Sequence, residues 1–285
     1  MKRTLFLFIF LFCANSLFAN MEYDERRCFL SRSIISLDRE TRLPKPSGID
    51  PYTVMLLHCD GTQGSTNFID AIGRNSVYEV TGAPPYIDNV GGWVTGEAPK
   101  FGTGAIAFPF NGGITWNDSN DFDFGDQPFT IDFWLKSCET QTDLSFLFYQ
   151  GSDATNIKLT YLVDYTTFMF QVISGWTTIV QISGSPGINY FPNGDPPYRW
   201  GHVAIIRGWG VDIGTWAITV DGAVVATTTE KTGTCPNIDG VVHMGSKEGT
   251  QNKFNGWIDE FRISKGIARW TSDFSGSLPT EPYTP

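Results

Sequence analysis

The sequence predicts an all-β fold, a jelly-roll sandwich of two antiparallel sheets. Short runs of β-branched and aromatic residues alternate with Gly, Asn, Asp and Pro along most of the chain. This alternation is typical of short strands joined by turns. Aromatic residues make up 14 % of the 285 residues, and no segment shows the period of an amphipathic helix.

Twelve strand-like runs follow one another from residue 52 onward. They are Tyr52–Cys59, Ala105–Phe110, Phe129–Lys136, Leu144–Tyr149, Ile157–Val163, Thr167–Val172, Thr177–Ile182, Gly201–Arg207, Thr215–Val220, Ala223–Thr228, Val241–Met244 and Gly256–Ile263.

Two of these runs carry more detailed information. Every second residue from Phe129 to Leu135 is large and apolar, so that face of the strand is predicted to lie in the core. The dipeptide Asp221-Gly222 separates two later runs and predicts a two-residue hairpin turn with positive φ.

The first 19 residues have the pattern of a secretory signal peptide. Lys2 and Arg3 precede an apolar run over residues 5–14, and a small residue, Ala19, marks the expected cleavage position. The apolar run is too short to span a bilayer, which takes roughly 20 residues. We therefore expect a secreted protein, extracellular or at a cell surface, with no membrane span.

Residues 20–48 differ in composition from the remainder. They carry six positive and five negative side chains and end in Pro44-Lys45-Pro46-Ser47-Gly48, a linker sequence. Two interpretations stay open, a partly ordered leader or an arm that pairs with a neighbouring subunit.

Charge and cysteine content limit the class of protein. The net charge of −10 argues against a nucleic acid partner, because a phosphate backbone requires a basic surface. Four cysteines, Cys28, Cys59, Cys138 and Cys235, remain after signal removal. They allow three full disulfide pairings in an oxidising compartment.

Three stretches together resemble a known family. The first is Leu56–Gly61, followed by Phe68–Asp70 and Gly73, and the second is Phe129–Leu135. The third is made of Trp200–Arg207, Val220–Gly222 and Asn255–Trp270. Their order and spacing resemble laminin G-like, concanavalin A-like jelly-roll domains, in the variant common in bacterial secreted proteins and phage tail or fibre proteins. The resemblance covers about residues 52–283, so we assign 49–285 to this domain. It implies two curved antiparallel sheets.

The resemblance also bears on the cysteines. Family members often have Phe at the position of Cys59, which implies that Cys59 is a small buried hydrophobic residue. Cys138 and Cys235 both adjoin loops, and we expect a Cys138–Cys235 bridge.

Laminin G-like domains often hold calcium, so the resemblance implies a possible calcium site. Calcium takes six to eight oxygen ligands, and the carboxylates placed best by motif are Asp60, Asp70 and Asp259. They would converge if the first and last strands pair. The alternative is that Asp60 and Asp70 cap turns and that Asp259 lies on the surface.

Other members of the superfamily bind sugars, which stack on exposed aromatic rings. The candidates lie in Gly-, Pro-, Asn- or Asp-rich surroundings: Trp93, Trp176, Tyr190, Tyr198 and Trp209. The alternative is that these rings cover the edges of the sandwich.

An enzyme is the weaker expectation. Glucanases of this fold use two Glu residues on one strand around an Asp, and no pair of Glu has that spacing here. We therefore expect a secreted, non-catalytic binding module for a glycan or an extracellular protein. The alternative is a structural subunit of an extracellular or fibre-like assembly, joined through residues 20–48.

Overall fold

Two antiparallel sheets face each other and enclose the apolar sides of their strands. The computed structural model describes residues 50–68, 70–73, 84–90, 99–109, 112–137, 144–162, 167–187, 199–229, 233–247 and 253–284. All of them belong to one compact unit, Gly48–Pro285. Within this part of the chain there are strands and two short 3-10 turns, Asn120–Phe122 and Trp209–Val211.

The strands are β1 (Thr53–Leu57), β2 (Tyr86–Asp88), β3 (Ala105–Pro109), β4 (Ile114–Trp116), β5 (Phe129–Ser137), β6 (Leu144–Gly151), β7 (Asn156–Leu162), β8 (Thr167–Ser174), β9 (Thr177–Gly184), β10 (Gly201–Arg207), β11 (Trp216–Val220), β12 (Ala223–Thr228), β13 (Val242–Met244) and β14 (Asn255–Lys265). All twelve strand-like runs are therefore confirmed as strands.

The larger sheet has eight strands in the order β12-β11-β10-β5-β14-β3-β2, with β1 paired to β14. The smaller sheet has the order β4-β13-β6-β7-β8-β9. All pairs are antiparallel. The pairing of β1 with β14 places Leu57 opposite Phe261, so the first and last strands lie side by side. The all-β sandwich is confirmed.

The core lies between the sheets, on the face of β5 that the sequence predicts. Phe129, Ile131, Phe133 and Leu135 are all buried in the main apolar cluster. Phe129 stacks on Phe124 with 4.3 Å between ring centroids. Because side chains alternate along a strand, the intervening residues of β5 face away from this core.

The predicted hairpin turn is confirmed. Val220 pairs with Ala223 across the two residues between β11 and β12. Asp221 and Gly222 have φ values of 46° and 76°, as a turn matched to the strand twist requires. The side chain of Asp221 accepts a hydrogen bond from His202 N and pairs with Arg199.

The chain after β14 covers the outer face of the larger sheet. Trp270 stacks on Phe274, with 4.2 Å between ring centroids, and Phe274 packs with Ala204 and Ile206. Near the end of the segment, the hydroxyl of Tyr283 lies 2.9 Å from His202 Nε2. This segment therefore shields the outer face of the larger sheet around β10 from solvent.

A charged pair lies under this segment. Arg262 donates two hydrogen bonds to Asp132, from Nε at 3.1 Å and from Nη2 at 2.8 Å, and both residues are buried. Although burial alone would raise it, the Arg262 guanidinium holds the pKa of Asp132 well below its ordinary value. Such bidentate pairs are strong and geometrically specific.

One cysteine prediction is confirmed and one is wrong. Cys59 is a buried free thiol in the main apolar cluster, as predicted. Cys235 is also a buried free thiol, so it does not form the predicted bridge to Cys138. Burial raises the pKa of Cys235 to about 12, and its environment is that of a packed core residue. Cys28 and Cys138 lie outside the described residues.

Several other predictions also fall outside the described part of the chain. The signal peptide (1–19) and the arm (20–48) do so, as do Trp93, Tyr190 and Tyr198. Among the residues that are described, no helix is long and apolar enough to cross a membrane.

Candidate functional site

The tip of the β8–β9 hairpin presents an exposed indole. Ser174 pairs with Thr177, so Gly175 and Trp176 form a two-residue turn. Both have positive φ, 56° and 68°, a combination that usually selects Asn and Gly. The Trp176 side chain is 76 % exposed, the largest value among the exposed apolar residues that the structure describes.

The turn is held by the neighbouring β6–β7 connection. Trp176 N donates to Ala154 O at 2.8 Å, and Gly175 N donates to Thr155 Oγ1 at 3.1 Å. The connection is itself fixed, because Asn156 Nδ2 donates to Ser152 O at 2.7 Å. The indole therefore projects from a backbone with a defined conformation.

The other predicted aromatic that can be assessed has a different environment. Trp209 lies in a 3-10 turn, is half-buried, and packs against the cluster of Ala204, Ile206 and Phe274. This is the alternative in which a ring covers the sandwich. Of the predicted aromatics within the described ranges, Trp176 thus offers the larger free surface.

Two of the three predicted calcium ligands line a second feature, a cavity of about 210 Å³. Asp60 and Asp70 line it, together with His58 and Cys59 at the end of β1. Asp60 is exposed, and its Oδ1 accepts hydrogen bonds from the backbone N–H and the hydroxyl of Thr103. Asp70 is buried, and its Oδ1 accepts from Ile72 N at 2.9 Å, which is the turn-capping role.

Asp259 lies on β14 next to β1, and it is fully buried rather than on the surface. Its carboxylate accepts hydrogen bonds from Phe101 N at 3.0 Å and Glu260 N at 2.8 Å. Desolvation by burial, together with the negative charges of Glu260 and Asp60, raises the pKa of Asp259 to about 8. Pairing of the first and last strands thus places Asp259 close enough to Asp60 for the two carboxylates to interact electrostatically.

The hydrogen-bond partner of His58 was not predicted from the sequence. Its Nδ1 lies 3.0 Å from Glu260 Oε1, and this hydrogen bond raises the pKa of His58. Glu260 is buried, and its Oε2 accepts from Tyr283 N at 2.8 Å. The pairing of β1 with β14 could have indicated this contact, since it places the ends of the two motifs together.

The backbone at this point is unusual. Cys59 and Glu260, neither of them glycine, have φ values of 60° and 49°. The register of β14 against β5 shifts between Asp259 and Arg262, which is the pattern of a β-bulge. The bulge lets Asp259 and Glu260, consecutive in sequence, both turn toward the end of β1.

These carboxylates do not fit a calcium ion. Both oxygens of Asp259 face backbone N–H donors, and its raised pKa favours the neutral form. Within the described residues, no group of three His, Cys, Asp or Glu side chains is arranged to hold a metal. Calcium binding therefore stays a prediction from resemblance, with no support from the geometry at Asp60, Asp70 and Asp259.

Comparison with solved structures shows a likeness to clostridial toxin binding domains. The botulinum neurotoxin serotype G binding domain matches with a TM-score of 0.57 and 15 % identity, over 79 % of this chain and 50 % of that one. The binding domain of botulinum neurotoxin DC in complex with SialylT matches at 0.53 and 15 %, over 76 % and 49 %. The binding domain of Paraclostridial Mosquitocidal Protein 1 matches at 0.55 and 16 %, over 79 % and 51 %.

These likenesses concern the fold, and the chain spans about half the length of the toxin domains it matches. No curated protein matches the chain. A family profile of laminin G type matches residues 110–269, more than half of the chain. With its two antiparallel sheets, the chain belongs to the concanavalin A-like lectin/glucanases superfamily.

Proposed function

We propose that this protein is a non-catalytic binding module that recognises a glycan through Trp176. The observation that carries the proposal is an indole 76 % exposed to solvent on a two-residue turn at positive φ. The proposal selects the glycan from the two ligand classes, glycan and protein, that the sequence leaves open.

Folding alone does not account for Trp at this position. A non-glycine residue at positive φ costs about 1–2 kcal/mol, and Asn or Gly would form the same turn at lower cost. The exposed ring also gains little from burial, which is the usual stabilising contribution of Trp. A contact with a ligand explains why a large ring stands at the tip.

The surroundings of Trp176 suit a sugar. The adjacent connection and strand expose hydroxyl and backbone groups at Ser152 and Thr177, which can hydrogen-bond to sugar hydroxyls. The indole supplies a flat apolar surface for the C–H face of a pyranose ring. Because the turn is held by two hydrogen bonds, binding would order little additional backbone.

The known relatives support a binding role. Two of the toxin binding domains of this fold are described in complex with SialylT and with rat synaptotagmin II. The superfamily also includes glucanases, but no two Glu residues of this sequence have the glucanase spacing around an Asp. We therefore infer binding without hydrolysis, and the signal-like residues 1–19 support a location outside the cytoplasm.

The test is a glycan array probed with the mature chain and its Trp176→Asn variant. Asn suits positive φ, so the variant removes the ring while keeping the turn. We expect the native protein to bind a defined set of glycans and Trp176→Asn to lose at least tenfold in affinity. Its unfolding midpoint should be unchanged or higher.

Two controls separate the ring from the surface in general. Trp176→Phe should keep part of the affinity, and Trp209→Phe should keep all of it. The proposal fails if the native protein binds no glycan, or if Trp176→Asn binds as tightly as the native protein. Release of reducing sugar from a polysaccharide panel would overturn the non-catalytic assignment.

A further inference from the structure

The cavity at the end of β1 has an apolar floor and a polar mouth. Phe68, Ile87 and Ile106 line it and are buried, whereas Asp60 is exposed and His58 partly exposed. The cavity measures about 210 Å³, and a protein cavity of about 150 Å³ holds a benzene molecule. A side chain or small molecule of about the size of benzene therefore fits in it.

The charges around the mouth are negative. Of the described residues that line the cavity, Asp60 and Asp70 are acidic and none is Lys or Arg. Both hydrogen bonds from Thr103 to Asp60 go to Oδ1. Oδ2 of Asp60 accepts no hydrogen bond from the described residues. Behind His58 lie Glu260, at 3.0 Å, which can balance a protonated imidazole, and the buried Asp259, whose raised pKa favours the neutral form.

A lysine that interacts with this acidic region contacts an aromatic ring. Lys100 interacts electrostatically with Asp259, but its Nζ lies 3.9 Å from the centroid of the Trp134 ring. Among the described residues that line the cavity, acidic side chains therefore outnumber basic ones, and the exposed carboxylate of Asp60 at the mouth attracts a cation.

We propose that this cavity binds a primary ammonium group carried on a short apolar stem. The stem would lie against Phe68, Ile87 and Ile106, and the ammonium would donate to Asp60 at the mouth. A bare metal ion would gain nothing from the apolar floor and requires more oxygen ligands than the cavity presents. An anion would be repelled by Asp60.

Such a group occurs on a lysine side chain and on an amino sugar. Four methylene groups precede the lysine ammonium, and they match the apolar floor better than the hydroxyl-bearing ring of an amino sugar. We therefore assign the ligand to a lysine side chain of a protein partner. This site is separate from the Trp176 tip, so the protein would hold a second partner independently of a glycan.

The test is a titration of the ¹⁵N-labelled mature chain, followed by amide chemical shifts. The probes are Nα-acetyl-lysine methylamide and n-butylammonium, with their Nε-acetylated and alcohol counterparts as uncharged controls. We expect the two ammonium probes to shift the amides of Leu57–Asp60 and Ile87, with dissociation constants of about 1 mM. The uncharged counterparts should bind at least fivefold more weakly.

Three variants assign the effect to the cavity. Asp60→Asn keeps the contact to Thr103 but removes the charge, and it should weaken both ammonium probes at least fivefold. Ala71→Leu fills the cavity from its lining and should abolish the shifts. Asp212→Asn, at an exposed turn elsewhere, should bind like the native protein.

Each of the remaining outcomes has a definite meaning. Equal binding of 1-butanol and n-butylammonium would overturn the proposal, because charge would play no part. Shifts of the same amides by Ca²⁺ that disappear in Asp60→Asn would overturn it in favour of a metal site. Binding of glucosamine, but not of the lysine probe, would reject the lysine side chain as the source. The Trp176→Asn variant should bind the ammonium probes like the native protein, whether or not it loses glycan binding, so the two proposals are tested independently.

Discussion

The burial and protonation state of Asp259 are determined by its position in the sheet. The sequence leaves two roles open for it, metal ligand or surface residue, and the structure shows that it is buried. The bulge in β14 turns it inward beside Glu260, where water no longer solvates the carboxylate. A buried carboxyl close to other negative groups is held in its neutral form.

This position predicts an unusual dependence of stability on pH. The pKa of Asp259 is about 8 in the folded protein and 3.8 for an unburied carboxyl. Between these values the folded state keeps a proton that the unfolded chain has released. The free energy of unfolding should therefore fall as the pH rises from about 4 to about 8, at up to about 1.4 kcal/mol per pH unit.

Urea unfolding at pH 4.5, 6 and 8 measures this dependence. In Asp259→Asn the side chain cannot ionise, so we expect a clearly flatter profile, with stability at pH 8 closer to that at pH 4.5. Residual slope is expected from His58, whose raised pKa acts in the same direction. Asp212→Asn should keep the native slope. Equal slopes for the native protein and Asp259→Asn would contradict the prediction.

Some properties of single residues could be predicted from the sequence and others could not. The period-two pattern of β5 identifies its core face because alternation alone decides it. Trp176 and Trp209 lie in equally turn-rich sequence, and only the fold distinguishes a ring at a hairpin tip from one against Phe274. The His58–Glu260 contact joins residues more than two hundred positions apart, which no local pattern reports.

At the scale of elements, the β11–β12 hairpin depends on Gly222 for two reasons. Its φ of 76° favours glycine. In addition, an added Cβ would lie 2.5 Å from Ser275 N and 2.6 Å from Phe274 C, which are backbone atoms of the segment covering the larger sheet. The turn and the segment therefore pack in direct contact.

Gly222→Ala should destabilise the protein by at least about 2 kcal/mol, combining the cost of positive φ with displacement of the segment. The matched control is Gly276→Ala, since no atom lies within 4 Å of its added Cβ, and its stability should change by less than about 0.5 kcal/mol. Thermal unfolding measures both. Similar losses in the two variants would show that the contact with residues 274–275 is unimportant.

Most strands follow from the sequence, and the exceptions have a physical reason. The twelve predicted strands carry enough apolar or β-branched residues for their pattern to be recognised. Strands β2 and β4 have three residues each, too few to establish a period. Strand β2 pairs with the longer strand β3. Strand β4 pairs with β13, which is equally short but is itself paired to β6.

At the scale of the whole molecule, the two functional alternatives predict different roles for residues 20–48. A structural subunit would use them to form an oligomer, whereas a glycan-binding module would not. Among the residues that the structure describes, the main apolar cluster is built entirely within the unit that follows Ser47. A chain starting at Ile49 should therefore unfold within about 2 °C of the mature protein. For a binding module, light scattering should give a monomer with and without residues 20–48. An oligomer that dissociates on their removal would support the structural subunit instead.

The pairing of β1 with β14 has a consequence for folding kinetics. Thr53 aligns with Ser264, and β14 lies in the interior of the larger sheet between β5 and β3. A nascent chain lacking its last strands cannot join the two halves of that sheet. Closing so long a loop also slows folding. Translation must therefore reach β14 before this sheet can assemble.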